Sequence, residues 1–413
     1  MLVNLLSSSE LKKQFDVSFS YRASPRYTSE LHARMAVDFP VYPLAFRDPS
    51  DLFVQHGVSR SPLQRIGRAL SRQLLTVPLL IWETLRLRAL LLRLRPDVLH
   101  INNGGFPGAL SARAAVLAAR SARIPRVIMV LNNFAEGYDR LGRWFEYGLD
   151  RAVAAGTELF VAGSQMSVTR IHEVLNLREG HVRAIVNGAD LRSPSETVEQ
   201  TRERLGLAGY TGVVFGVVAL MEPRKGHRVL IDALHRLVTA HHLGPEHVRL
   251  IFVGDGMLRT ELVRLVGERG LSQHCRFLGQ ESNGMNVISA LDVLVLPSIA
   301  NEDFPNVVLE AMGARKPVVA SRIAGTPEQI VDGRTGLLVP PGDADALSQA
   351  MNALWRDASL RASMGDAGWL RYEERFTARA SVERYIDTYR ALLAMGDGAS
   401  TDVRPAIALV MNR

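Results

Sequence analysis

The stretch Asp292–Ala320, DVLVLPSIANEDFPNVVLEAMGARKPVVA, decides the fold. Asp292–Leu296 alternates Val and Leu and is stopped by Pro297, which predicts a short buried strand. Ser298–Asp303 is polar and reads as a loop. Phe304-Pro305 follows, with the proline where a helix tolerates one, at its first position. A helix is predicted over Asn306–Ala314, and Lys316-Pro317 ends it before a second apolar strand at Val318–Ala320. Strand, loop, helix and strand in this order make one turn of a doubly wound α/β sheet.

Two carboxylates punctuate the unit, Glu302 in the loop and Glu310 on the helix. A helix start offers unpaired backbone N–H groups to an anion in front of it. One small unit therefore carries an anion site and two carboxylates able to accept hydrogen bonds from hydroxyls. Taken without context, the pair is no more than two surface glutamates beside a helix.

With its context, NEDFPNVVLEAM (residues 301–312) resembles the paired-glutamate motif of family 4 retaining glycosyltransferases of GT-B fold. The resemblance implies that Glu302 faces the transferred sugar and that Glu310 takes the ribose hydroxyls of a nucleotide diphosphate sugar donor. Phe304, Asn306 and Val307 of the same motif complete the implied donor-binding set. In Glu222-Pro223-Arg224-Lys225-Gly226-His227, Lys225 matches the family lysine that binds the donor pyrophosphate, and Arg224 is a second donor-binding candidate. A lysine at a strand's end, facing a helix start, is suited to neutralising a diphosphate. Glu302 and Lys225 are thus the catalytic candidates. Leu220 stands where the family often has an arginine. Many members also have a histidine at the end of the strand that here reads RVIMVL (126–131) and ends in Asn132-Asn133. Either asparagine can hydrogen-bond a sugar hydroxyl, but neither carries a proton or a positive charge.

Two further turns are weaker signals. Gly254-Asp255-Gly256 resembles a family turn, lacks the third glycine of the dinucleotide fingerprint, and reads first as a tight strand-to-helix turn. Arg276-Phe277-Leu278-Gly279 resembles the segment bordering the nucleotide base. No metal-ligand spacing and no nucleophile elbow is present, so neither a metal nor another cofactor is expected. Retaining transfer in this family is thought to proceed by front-face attack, in which the protein positions both substrates and stabilises charge on the departing diphosphate.

Length and composition agree with an enzyme of this kind. The 413 residues suit two domains, with 47% apolar and 22% charged residues as in ordinary globular chains. The one cysteine, Cys275, excludes an intrachain disulfide and fits a reducing compartment, and MLVNLLSSSE does not read as a signal peptide. A cytoplasmic site, at the inner face of the membrane, is the corresponding expectation. The net charge of +7 is concentrated in arginines between Arg60 and Arg95. No nucleic-acid motif accompanies them, so nucleic acid is not an expected partner, and acidic substrates or anionic lipid are. Over Pro62–Leu94 the apolar residues recur at helical spacing, with Arg65, Arg68 and Arg72 opposite and a break at Pro78. Glu83, Arg86, Arg88 and Arg93 argue against a transmembrane span. A packed helix pair with a basic outer face is predicted, and membrane-surface contact is the sharper alternative.

The domain expectations are two facing Rossmann-like domains: residues 1–190 on the acceptor side, a linker over 191–212, and a nucleotide-sugar domain over 213–376. A helix over 377–395 is expected to return to the first domain, with 396–413 a fraying tail. Residues 45–60 read as irregular. The first domain begins oddly. MLVNLL resembles the middle of the family's first helix, so the strand and glycine-rich loop that should precede it are missing. Loss of an inner parallel strand would expose its neighbours. The expectation is that the natural protein starts upstream, or that this form is unstable or inactive.

The implied function is transfer of a sugar from a nucleotide diphosphate sugar to a hydroxyl acceptor, in polysaccharide or glycolipid biosynthesis. Two alternatives remain open: a non-catalytic nucleotide-sugar-binding relative or partner subunit of another glycosyltransferase, and a different GT-B reaction such as a phosphorylase or epimerase.

Overall fold

The computed structural model describes residues 2–24, 28–29, 38–46, 62–138, 141–300, 302–395 and 404–411; the side chains of 62–74, 141–142 and Met411 are outside the description. The predicted irregular stretch falls almost wholly outside these residues, as do the side chains of Arg65, Arg68 and Arg72. The chain divides into two compact units, Met1–Ile185 with Val382–Arg413, and Val186–Ser381.

The strands, in chain order, are β1 Asp16–Arg22, β2 Val41–Leu44, β3 Val98–Asn103, β4 Arg126–Leu131, β5 Leu159–Ala162, β6 Val182–Ala184, β7 Val213–Val218, β8 Val248–Val253, β9 Cys275–Gly279, β10 Val293–Leu296, β11 Val318–Ser321, β12 Gly336–Val339 and β13 Ala406–Met411. Among the described residues the second unit holds a sheet of order β12-β11-β10-β7-β8-β9, and every pairing in it is parallel. Helices cover both faces, so β7, β8, β10 and β11 are Val- and Leu-rich runs with almost no exposed residue. The chain runs outward from β7 to β8 and β9, then returns to the other side of β7 as β10. That reversal is a topological switch point, and the loops after β7 and β10 flank it.

The region expected to be a linker is part of this unit. Helix Val198–Arg204 opens with a capping box between Thr197 and Gln200, and Leu205 and Leu207 are buried in the core that holds Leu291 and Leu309. The unit's boundary therefore lies at Val186, before the Asn187-Gly188 turn and not after Asp190.

The first unit's sheet has the order β2-β1-β13-β3-β4-β5-β6, again parallel at every pairing. Two expectations are corrected here. Residues 406–411 do not fray; they form an inner strand between β1 and β3. The slot of the missing first strand is thereby filled, from the far end of the sequence. Ile407, Ala408, Leu409 and Val410 are buried because β13 has a covered face on each side: Ile407 and Leu409 join Leu5, Leu6, Phe19 and Tyr389, while Ala408 and Val410 join Leu91, Leu99 and Ala115. The helix Ala378–Ala394 supplies Tyr385 and Tyr389 to that core, where Tyr389 lies 2.6 Å from His100 Nδ1.

Pro62–Leu94 is one helix running through Pro78, not a helix pair. Leu80, Leu87 and Leu91 face the core, whereas Val77, Ile81, Leu85 and Leu92 are exposed. No helix among the described residues is long and apolar enough to cross a membrane.

Candidate functional site

The loop after β7 turns tightly at Pro223–Lys225, a single 3-10 turn, before helix His227–His241 begins. Gly226 makes this possible. Its φ is +68°, and a Cβ there would stand 1.9 Å from the Pro297 carbonyl oxygen. The loop after β10 is thus packed directly on it, and the Ile299 N–H donates to the Arg224 carbonyl at 2.8 Å. Two loops far apart in sequence become one surface at the switch point.

Glu302 is at the centre of that surface and is nearly fully buried. Its Oε1 accepts from the Lys225 ammonium and from Ser298 Oγ at 2.9 Å, and the Arg224 guanidinium lies 3.6 Å away. Arg224 also donates through Nε to Glu222 at 2.9 Å. The structure therefore brings together Lys225, Arg224 and Glu302, and adds Ser298. Only folding puts Ser298 against the carboxylate, and a serine in a loop gave no signal of its own.

Pro305 caps helix Asn306–Gly313 from just outside its first turn. Phe304 is buried edge-on to Phe376, with ring centroids 5.8 Å apart, so its side chain is a core residue. Asn306 is exposed at the helix start and Val307 is half-buried. Glu310 is also half-buried. Burial pushes its carboxyl above the ordinary carboxylate range, and the positive charge of Arg192 opposes the shift. Arg192 belongs to the stretch read as linker; its guanidinium donates to the Ser282 carbonyl at 3.3 Å. Asn283 reaches the Ser193 carbonyl and Asn286 bonds Ser195, so residues 192–195 are laced to the loop after β9.

The turn Gly254-Asp255-Gly256 is structural. A Cβ on Gly254 would meet the Ala219 carbonyl at 2.0 Å, and the Met221 N–H donates to the Asp255 carbonyl. Arg276 donates to the carbonyls of Leu205 and Arg204, which fastens β9 to the helix Val198–Arg204. Leu220 is half-exposed, an apolar side chain where a cation was expected. Among the described residues no group of three or more His, Cys, Asp and Glu is placed to hold a metal ion.

Asn132 and Asn133 belong to the other unit, at the carboxyl end of its sheet. The Asn132 amide donates to the Asn103 carbonyl at 2.7 Å and to Asn102 Oδ1 at 3.2 Å, and the Asn133 amide donates to the Gly104 carbonyl at 2.6 Å. Asn103 accepts in turn from the backbone N–H groups of Gly104 and Ala109. These amides hold the glycine-containing loop after β3 in place. The following segment is anchored by a buried ionic cluster that sequence reading missed. Arg143 donates to Glu146 at 2.6 Å and pairs with Asp150 at 2.8 Å, while Tyr138 donates to Asp150 at 3.0 Å. Arg113 adds a second cation, 3.2 Å from Glu146. A hollow of about 590 Å³ in this unit, lined in part by Arg120, Arg151 and Arg178, lies at the opposite, amino-terminal end of β4 and β5. Arg151 there caps a helix C-terminus through the Leu175 carbonyl, an ordinary place for arginine.

Comparison with known proteins agrees with this geometry. Residues 26–193 match the family model described as Glycosyltransferase Family 4, and residues 212–357 match the one described as Glycosyl transferases group 1. The chain is 26% identical over 268 residues to a D-inositol 3-phosphate glycosyltransferase of Corynebacterium urealyticum, covering 62% of this chain and 62% of that protein. It is 29% identical over 270 residues to the lipopolysaccharide core biosynthesis glycosyltransferase LpsE of Rhizobium meliloti, covering 65% of this chain and 74% of that one. The chain thus spans between about three fifths and three quarters of these two relatives. In fold it is similar to Anabaena Alr3699/HepE in complex with UDP and glucose, with a TM-score of 0.69 at 21% identity, over 94% of this chain and 95% of that one. Two parallel α/β units, the switch-point loops and both family matches point the same way: the chain belongs to the family 4, group 1 glycosyltransferases of GT-B fold.

Proposed function

We propose that this chain transfers a sugar from a nucleotide diphosphate sugar to a hydroxyl acceptor, with retention and without a metal ion. The observation that carries the reading is the cluster of Lys225, Arg224, Ser298 and Glu302 at the switch point, in front of the helix Asn306–Gly313. The cationic side chains and the helix start stabilise charge on the departing diphosphate; an exposed helix dipole alone is worth only about 0.3–1 kcal/mol, so the two cations carry most of the effect. Glu302 faces the transferred sugar, and Glu310 accepts from the ribose hydroxyls. Asn306 and Val307 line the donor beside them. Phe304 supports this set from the core. Asn132 and Asn133, at the carboxyl end of the first unit's sheet, are polar groups suited to a sugar hydroxyl bound to that unit.

The acceptor we propose is a glycolipid or growing polysaccharide, a reading supported by the similarity to LpsE, named for lipopolysaccharide core biosynthesis. An inner-membrane, cytoplasmic setting is supported by the lone half-buried Cys275 and by the exposed Val77, Ile81, Leu85 and Leu92 beside Arg86, Arg88 and Arg93. The test is a calorimetric screen of UDP, GDP and ADP and their sugars, followed by turnover of the best donor by wild type and Glu302→Gln. The reading requires a nucleotide that binds and a donor that turns over, with Glu302→Gln slowing turnover while nucleotide affinity is kept or improved, since Lys225 is freed. Binding without transfer or donor hydrolysis, under any acceptor, would reduce the chain to a nucleotide-sugar-binding relative.

A further inference from the structure

β13 is held by a backbone ladder on each edge and by a core on each face. It pairs with β1 along Asp16↔Ala406 to Tyr21↔Met411 and with β3 along Val98↔Ile407 to Asn102↔Met411. Its entry is fixed at both edges: the Pro405 carbonyl accepts from Asp16 N–H at 3.0 Å, and Asp97 exchanges two bonds of 2.8 Å with Ala406. Arg404 donates to the Lys12 carbonyl at 3.2 Å. Ile407 and Leu409 fill one core, and Ala408 and Val410 the other. The ladder and hydrogen-bond partners all lie between Lys12 and Asn102, far from the strand in sequence. A segment bound by two backbone ladders and alternating pockets has the character of a strand ligand in a sheet groove. Leaving that groove empty would expose two strand edges inside the sheet.

We propose that the slot between β1 and β3 is an acceptor for the sequence Arg404–Met411 from whichever chain provides it, so that a second copy of this chain can donate its strand in exchange for its own. The docking specificity is written in the residues themselves. Leu409 occupies a fully buried pocket opposite Phe19 and His100, and small Ala408 fits between Ser18 and Leu99. Register is fixed because a slip of one residue would exchange these two faces. The proposal concerns assembly of the first unit and stands apart from the reaction assigned above.

The probe is the synthetic peptide RPAIALVMNR, residues 404–413, with the same peptide carrying Leu409→Pro as control. Wild-type chain is refolded from denaturant with excess peptide and examined by native mass spectrometry and hydrogen exchange. The expected result is one retained peptide per chain, with amides of β1 and β3 protected and the chain's own 404–411 amides exchanging freely. The control peptide, which lacks a ladder N–H, is not retained. Refolding without peptide, at rising protein concentration, gives a dimer fraction that added peptide converts to monomer. The full-length Leu409→Pro variant should show a lowered thermal transition that the wild-type peptide raises and the control peptide does not. Refolded wild type that retains no peptide, or that keeps its own strand protected, or that forms no peptide-sensitive dimer, overturns the proposal whether or not the proline variant folds.

Discussion

Glu310 shows how far a single residue could be read and where the reading stopped. Its place on the helix behind Pro305 was legible from the motif, but its burial and the charge of Arg192 were not, because Arg192 lies 118 positions earlier in a stretch that reads as linker. The same is true of Ser298, whose contact with Glu302 exists only once the β10 loop has closed on Arg224. Burial raises the Glu310 carboxyl pKa above its unfolded value, so the folded state binds the proton more tightly. The sign follows: stability falls as pH rises from the unfolded pKa through the raised folded value, and the penalty is complete above that value. Glu310→Gln should therefore raise the melting temperature at pH 7, with the gain vanishing at acid pH. It should also weaken nucleotide binding by about 1–3 kcal/mol, the cost of losing hydrogen bonds to a charged group. Calorimetry and a melting curve on one preparation check both halves. A variant that loses stability at pH 7, or binds nucleotide as well as wild type, would contradict the ribose role.

At the scale of elements, the strands and helices of the second unit were legible because apolar runs stopped by Gly or Pro leave few alternatives, as in β8 and β10. β13 was not. Six apolar residues after the small and polar run 396–403 look like a tail, and nothing local shows that Val17 and Val98 lie on either side of them. The helix Pro62–Leu94 was legible as helical, but not as a single element, since Pro78 normally argues for a break. Its exposed Val77, Ile81 and Leu85 recur every four residues, with Leu92 one further turn-pair along, and Trp82 lies under the Arg86 guanidinium at 4.7 Å. An apolar stripe edged by arginine is suited to anionic lipid. Vesicle binding is expected to need acidic lipid, to fall steeply with salt, and to be weakened by the double change Ile81→Ser and Leu85→Ser without loss of the thermal transition. Equal binding to neutral vesicles, or to acidic vesicles at every salt concentration, would return this face to a purely structural role.

At the scale of the whole molecule, the chain crosses from the first unit to the second at Ile185/Val186 and back at Ser381/Val382. Within the second unit the two crossings run side by side. Ala189 N–H donates to the Phe376 carbonyl at 3.0 Å, Tyr372 OH to the Ala189 carbonyl at 2.9 Å, and a Cβ on Gly188 would meet the Thr377 carbonyl at 2.2 Å. The Asn-Gly turn announced a boundary in the sequence, but its packing against a segment nearly 190 residues later could only come from the fold. Charge distribution is the other whole-molecule property, and it bears on how the reaction is run. Leaving-group charge in sugar transfer is carried either by a bound divalent cation or by fixed protein cations. Here Lys225 and Arg224 are already gathered on Glu302, and among the described residues no carboxylate–histidine group is spaced to hold a metal. Under the function proposed above, an arriving diphosphate would compete with Glu302 for both cations, and side chains already in place would supply the charge. Activity is therefore expected to be the same in EDTA as in magnesium or manganese. Lys225→Ala should lower turnover by orders of magnitude and should not be rescued by either metal. Loss of activity in EDTA with recovery on adding magnesium would show that a metal ion carries the leaving-group charge, and the assignment to Lys225 and Arg224 would fall.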